Sequence, residues 1–153
     1  MRRILQVLTV LVFISGCAAF AQEQSADSAR ALTPGEAGKK IASDSTIVVL
    51  DVRTPEEYSG KRGSQCDPRQ GHIPGAKLVQ LDLLFAGPGR PESPERIREL
   101  VGAPEGAEVV AYCHSGSRSA LATLALRSAG YDASNYAGSW HEWSRHDELP
   151  LER

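Results

Sequence analysis

The chain has 153 residues, 41% of them hydrophobic and 24% charged, which is ordinary globular material with room for one core and no length for a second domain. The formal charge is −2, and removing residues 1–21 takes away Arg2 and Arg3 but no acid, leaving −4. A mildly acidic body argues against nucleic acid as the main partner.

Arg2-Arg3, then the apolar run Ile4 to Ile14 interrupted by Gln6 and Thr9, then small residues, reads as a bacterial-type secretory signal. It is too short for a comfortable membrane span, and no later stretch reads as one. Two cleavage readings stay open. Ala19-Phe20-Ala21 fits an ordinary signal peptidase, which would release a soluble chain from Gln22. Ile14-Ser15-Gly16-Cys17 resembles the bacterial lipobox, in which Cys17 becomes a lipid-modified N-terminus, and the small pair directly before a cysteine favours it. On either reading the protein is exported to the bacterial cell envelope, periplasmic and soluble or lipid-anchored. Residues 22–32 form a polar, flexible tether and residues 33–153 the folded domain.

The domain alternates in an α/β fashion. Thr33-Pro34-Gly35-Glu36 carries a capping-box pattern with Pro at the first helical position and predicts a short helix ending near Ser43. Thr46 to Asp51 is a nearly continuous apolar run, as expected of a strand buried on both faces. Thr54-Pro55-Glu56-Glu57 repeats the capping grammar and starts a second helix, and Ser93-Pro94 opens a third with Ile97, Leu100 and Val101 on one side. Val109 to Tyr112 predicts another interior strand. After it, Leu121, Leu124, Ala125 and Ser128 follow helical spacing until Gly130 stops the pattern.

Between that strand and that helix stands Cys113-His114-Ser115-Gly116-Ser117-Arg118. A cysteine at a strand tip, where a short polar loop enters a helix, faces unpaired backbone N–H groups, and anions bind there. A free cysteine, with a pKa of about 8.5, is only about 3% thiolate at pH 7. An exposed helix terminus supplies only about 0.3–1 kcal/mol. Several loop amides and the charge of Arg118 must therefore act together to make Cys113 a standing thiolate.

Three stretches, in this order, carry a resemblance to the single-domain rhodaneses. Asp51-Val52-Arg53-Thr54-Pro55-Glu56-Glu57-Tyr58 resembles the family's first signature and Gly71-His72-Ile73-Pro74-Gly75-Ala76 its second. Cys113 to Arg118 resembles the catalytic loop, followed by a closing Gly138-Ser139-Trp140 and Trp143 region. The resemblance implies a rhodanese-like α/β fold, with a central, mostly parallel sheet flanked by helices on both faces. It also implies a sulfurtransferase of the thiosulfate type in which Cys113 carries sulfane sulfur as a persulfide. Arg118 matches the arginine that helps bind an anionic donor, and the backbone of His114, Ser115, Gly116 and Ser117 the cradle around the persulfide. Asp51 and His72 match supporting positions, while Arg53 is either a structural ion pair or an accessory substrate contact.

Transfer of this kind needs no metal or organic cofactor: a small anionic sulfur donor loads the cysteine, and a thiol, a cyanide-like nucleophile or a protein unloads it. The four residues between Cys113 and Arg118 match the sulfurtransferases, whereas related phosphatases and arsenate reductases have one more, so phosphate-type chemistry is the weaker reading. A reading of another class is an envelope-tethered sulfur-carrier or protein-binding module without significant turnover. His141, His146, Asp147 and Glu148 suggest a metal site less than a solvated helix end. His114 reads as a variable loop residue facing solvent, or else as a side chain that tunes acceptor chemistry.

The chain departs from the family between Tyr58 and Gly71, where Ser-Gly-Lys-Arg-Gly-Ser-Gln-Cys-Asp-Pro-Arg-Gln is longer than expected. This insertion follows a strand C-terminus, as Cys113 does, so a parallel sheet brings Cys66 to the catalytic edge. There it is either a spare thiol in a solvated loop or a resolving thiol for Cys113. Lys61, Arg62 and Arg69 outnumber Asp67 and are expected to draw an anionic donor toward that edge.

Overall fold

Both threonine capping boxes form. In the computed structural model, which describes residues 31–153, the Thr33 side chain accepts from the Glu36 amide and the Glu36 carboxylate accepts from the Thr33 amide at the head of α1 (Pro34–Ser43). Thr54 and Glu57 repeat the arrangement at α2 (Pro55–Tyr58). Ser93 Oγ accepts from the Arg96 amide to open α3 (Pro94–Val101), and Gly102, at φ 69°, closes it. The secretory signal and Cys17 lie outside the described residues. Among the described residues, no helix is long and apolar enough to cross a membrane.

The sheet has five strands: β1 (Ala31–Leu32), β2 (Val48–Asp51), β3 (Lys77–Leu78), β6 (Glu108–Tyr112) and β7 (Asp132–Tyr136). Their order is β1-β7-β6-β2-β3, and every pairing is parallel. The sheet thus begins at Ala31 and Leu32, two residues that composition places in the tether. At the other end of the prediction, the strand expected from Thr46 starts only at Val48. Asp44 Oδ1 accepts from both the Thr46 amide and its hydroxyl, at 2.9 and 2.6 Å, and holds that residue in a turn. A hairpin of β4 (Phe85–Gly87) and β5 (Arg90–Pro91) stands apart from the sheet.

Side chains of the central strands alternate between two buried faces. Leu50, Val109 and Ala111 pack with Ile97 and Val101 of α3 and with Ala122, Ala125 and Leu126 of α4 (Ser117–Ser128). Val49, Val110 and Tyr112 pack on the other side with Ala37 of α1 and with Trp140 and Trp143 of α5 (Ser139–Trp143). Burial on both faces is why β2 and β6 read as unbroken apolar runs. On α4 the sequence pattern points to the wrong face. Leu121 and Leu124 are 51% and 61% exposed, while the small residues Ser119, Ala122, Thr123 and Ala125 are buried and let the helix lie close to the sheet.

Candidate active site

Cys113 follows β6 directly, at the C-terminal edge of the sheet, and is fully buried. The chain then turns through Gly116, the N-cap of α4, at φ 88°. A Cβ at Gly116 would lie 2.4 Å from the Ala137 carbonyl oxygen, so both the backbone conformation and the space require glycine. The Gly116 amide donates to Cys113 Sγ at 3.1 Å, and the hydroxyls of Ser119 and Ser139 lie 3.5 and 3.9 Å from the same sulfur. Burial pushes the thiol up, but the Ser119 hydroxyl and the amides of Ser119, Ser115 and Gly116 outweigh it and hold Cys113 below the ordinary thiol value.

The loop is held from behind by the start of α5. Ser139 Oγ accepts from the Cys113 amide at 3.1 Å and donates to the Tyr136 carbonyl at 2.7 Å. The amides of Trp140 and His141 donate to the carbonyls of Cys113 and His114 at 3.0 and 2.9 Å. Ser139 does this from a left-handed backbone, φ 51°, the only such non-glycine among the described residues.

Arg118 does not hang free at the loop mouth. Its guanidinium donates to both oxygens of Glu57, at 2.7 and 2.8 Å. Burial pushes the Glu57 carboxyl up, yet the Arg118 side chain and the Thr54 amide bring it down to about 2. Glu57 is therefore a site residue that sequence reasoning read only as a helix cap. A capping carboxylate keeps acceptor capacity to spare: Oε2 accepts from both the Thr54 amide and Arg118, and Oε1 from Arg118 alone. Arg118 also lines a cleft of about 580 Å³, together with Val52, Arg53, Leu81, Phe85, Leu121 and the hairpin tip at Gly87 to Gly89.

The supporting residues of the two signatures interlock. The Arg53 guanidinium donates to both oxygens of Asp51 and, at 2.7 Å, to the Gly71 carbonyl, and it lies over the Trp140 ring at 4.9 Å. Both members of the ion pair are buried and join the first signature to the second, while Arg53 also lines the cleft. His72 stacks on Tyr58 with centroids 3.7 Å apart, and its Nδ1 lies 3.0 Å from the Tyr58 carbonyl oxygen.

A family model described as a rhodanese-like domain matches residues 33–146. The chain belongs to the rhodanese-like family. A thiosulfate sulfurtransferase of Azotobacter vinelandii is 34% identical over 111 residues, covering 69% of this chain and 40% of that protein. The sulfur carrier protein TtuD of Thermus thermophilus is 33% identical over 114 residues, covering 67% of this chain and 40% of its own. A crystal structure described as "Probable Thiosulfate Sulfurtransferase" shares 44% identity at a TM-score of 0.66, covering 81% of this chain and 48% of that one. This rhodanese chain spans about two fifths of the length of the curated relatives it matches.

On this rhodanese domain the insertion does reach the catalytic edge, as the parallel sheet requires. Cys66 is exposed, and its Sγ lies 2.9 Å from Ser64 Oγ and 3.7 Å from His141 Nδ1; both described thiols, Cys66 and Cys113, are free. His114, expected to face solvent, instead points at the insertion, with Nε2 at 3.1 Å from Asp67 Oδ2. The expected electrostatic draw is corrected at Arg69. Its guanidinium donates to the carbonyls of Trp143, Ser144, His146 and Leu149, so it pins the C-terminal segment instead of facing incoming donors. The expected C-terminal group divides: His146 pairs with Glu148 at 2.9 Å, whereas His141 turns back to Asp67 at 3.0 Å.

Proposed function

We propose that this protein is a sulfurtransferase that moves a sulfane sulfur from thiosulfate, or a similar anionic donor, to a thiophilic acceptor through a Cys113 persulfide. The observation that carries the reading is the ring of donors around Cys113 Sγ, which favours the thiolate in a buried place. The thiolate attacks the outer sulfur of the donor. A new S–S bond forms, the donor's S–S bond breaks, and sulfite leaves with the electron pair. The acceptor, a thiol, cyanide or a protein nucleophile, then takes the outer sulfur and returns the thiolate. The amides of His114 to Arg118 and the Arg118 guanidinium stabilise the negative charge of donor and persulfide. Thiosulfate-dependent thiocyanate formation from cyanide is expected with the protein lacking residues 1–21 and is expected to vanish in Cys113→Ser; equal rates in the two would sink the proposal.

A second reading, a sulfur carrier that holds the persulfide for a protein partner with little turnover of its own, is supported by the likeness to a sulfur carrier protein. Persulfide formation on Cys113 that persists with free cyanide and discharges onto a protein acceptor would favour it. As to place, we infer export and a lipid anchor at Cys17 from Ile14-Ser15-Gly16-Cys17. Detergent-phase partitioning of the wild-type chain, lost in Cys17→Ser, is the expected result, and a soluble periplasmic chain beginning at Gln22 would decide for ordinary cleavage.

A further inference from the structure

At the catalytic loop, beside Cys113 in the chain, four potential ligands from three separate segments converge. Cys66 and Asp67 come from the insertion, His114 from the loop and His141 from α5, and one donor atom of each lies within 4.8 Å of all the others. We propose that these four side chains bind one divalent transition-metal ion, with Zn2+ as the natural occupant of a thiolate, carboxylate and two-imidazole set. Its ligand atoms are side-chain atoms that the sulfur-transfer step does not use.

The spacing fits such an ion. Tetrahedral Zn2+ with bonds of about 2.0–2.3 Å sets its ligands about 3.3–3.8 Å apart. Cys66 Sγ stands 3.7 Å from His141 Nδ1, within that range, and His114 Nε2 stands 3.1 Å from Asp67 Oδ2, a little below it. The last pair is the telling one. Asp67 has a fully buried side chain, yet neither its Oδ2 nor His114 Nε2, also buried, makes a hydrogen bond despite their proximity. A buried carboxylate oxygen without a hydrogen bond is costly. Two ligands of one ion have this relation, because their lone pairs aim at a shared point instead of at each other.

The surroundings supply the outer partners that a metal site needs. Arg145 Nη1, at 3.4 Å, holds Asp67 Oδ1 and leaves Oδ2 to the ion, while its Nη2 donates to the Cys66 carbonyl at 2.6 Å. Ser64 Oγ, 2.9 Å from Cys66 Sγ, is placed to donate to a thiolate. Thiolate and carboxylate give the ligand set two negative charges, which a divalent cation neutralises. On binding, the Cys66 thiol releases its proton to solvent and nothing is oxidised or reduced, so affinity rises with pH. The ion would tie the insertion and α5 to the residue directly after Cys113.

The test is a titration of the reduced, chelator-treated protein with Co2+, followed by displacement with Zn2+. One Co2+ per chain is expected, with the visible bands of a four-coordinate ion and a near-ultraviolet thiolate charge-transfer band. That band should persist in Cys113→Ser and vanish in Cys66→Ser, a substitution at an exposed position. Zn2+ affinity should fall by more than about 100-fold in His141→Gln, beyond the 10–100-fold typical of losing an outer partner. Absence of the charge-transfer band in the wild-type protein, or its survival in Cys66→Ser, would overturn the site. Either result leaves the sulfurtransferase reading to its own assay.

Discussion

Glu57 holds Arg118 through two parallel hydrogen bonds of 2.7 and 2.8 Å, although the two residues are 61 positions apart. The first signature thereby fixes the last residue of the catalytic loop. A guanidinium fixed in this way keeps its plane where it lines the cleft, and a bidentate pair of this kind depends on the planar fork.

Arg118→Ala should therefore lower kcat/KM for thiosulfate by about 100-fold, about 2.7 kcal/mol of transition-state stabilisation. Arg118→Lys should recover only part, since an ammonium cannot form the bidentate pair with Glu57. Steady-state kinetics on variants with wild-type circular dichroism check this, and an unchanged kcat/KM in Arg118→Ala would falsify the role.

The same pair makes stability depend on acid. The Glu57 carboxyl sits at about 2 in the folded protein against an ordinary value of 4.5. Above about pH 4.5 both folded and unfolded states are ionised and the contribution is complete; as pH falls toward 2 the unfolded state takes up the proton first, and the contribution is lost. The pair is partly exposed, 34% at Arg118 and 19% at Glu57, so its contribution is on the order of 1 kcal/mol. Urea unfolding of wild type and Glu57→Gln should differ at pH 7 and converge near pH 2. A gap that stays constant over that range would show the ionised pair to be irrelevant to stability.

What the sequence made legible was local. The capping boxes at Thr33 and Thr54, the double-buried strands and the Cys113 loop all lie within a few consecutive residues, and each formed, β2 two residues shorter than expected. What stayed hidden joins distant segments. Glu57 reads as a helix cap until Arg118 is brought to it, and Cys66 meets His141 across 75 positions through the route of the insertion. Leu121 and Leu124 misled for a related reason: the close approach of α4 to the sheet selects small residues along most of its inner face, with Leu126 the large one admitted, so Leu121 and Leu124 are left outside.

The thiolate at Cys113 depends on Ser119 as well as on the loop amides. Burial alone would push the thiol up, and the Ser119 hydroxyl, 3.5 Å from Sγ, is foremost among the groups opposing it. Ser119→Ala should then move the Cys113 titration to higher pH and shift the rising limb of the pH–rate profile with it. Far-ultraviolet thiolate absorbance in a Cys66→Ser background, with Cys113→Ser as the blank, isolates this thiol. Coincident titrations with and without the hydroxyl would assign the low pKa to backbone amides alone.

Ser139 combines two features that substitution can separate. Its hydroxyl accepts from the Cys113 amide and donates to the Tyr136 carbonyl, and its backbone sits at φ 51°. Ser139→Ala keeps the strained backbone, removes the hydroxyl and leaves two backbone groups unsatisfied in a fully buried place, at a cost of about 1–3 kcal/mol. Ser139→Gly loses the same bonds but relieves the left-handed conformation, worth about 1 kcal/mol. Glycine should therefore be the less destabilising of the two in urea unfolding, reversing the usual order in which alanine is the milder replacement near a helix start. Activity should not follow that order. Both variants release the Cys113 amide from its anchor, so both should lose sulfur transfer to a similar extent even where glycine restores most of the stability. Alanine proving the more stable variant would mean that the φ at this position carries no strain.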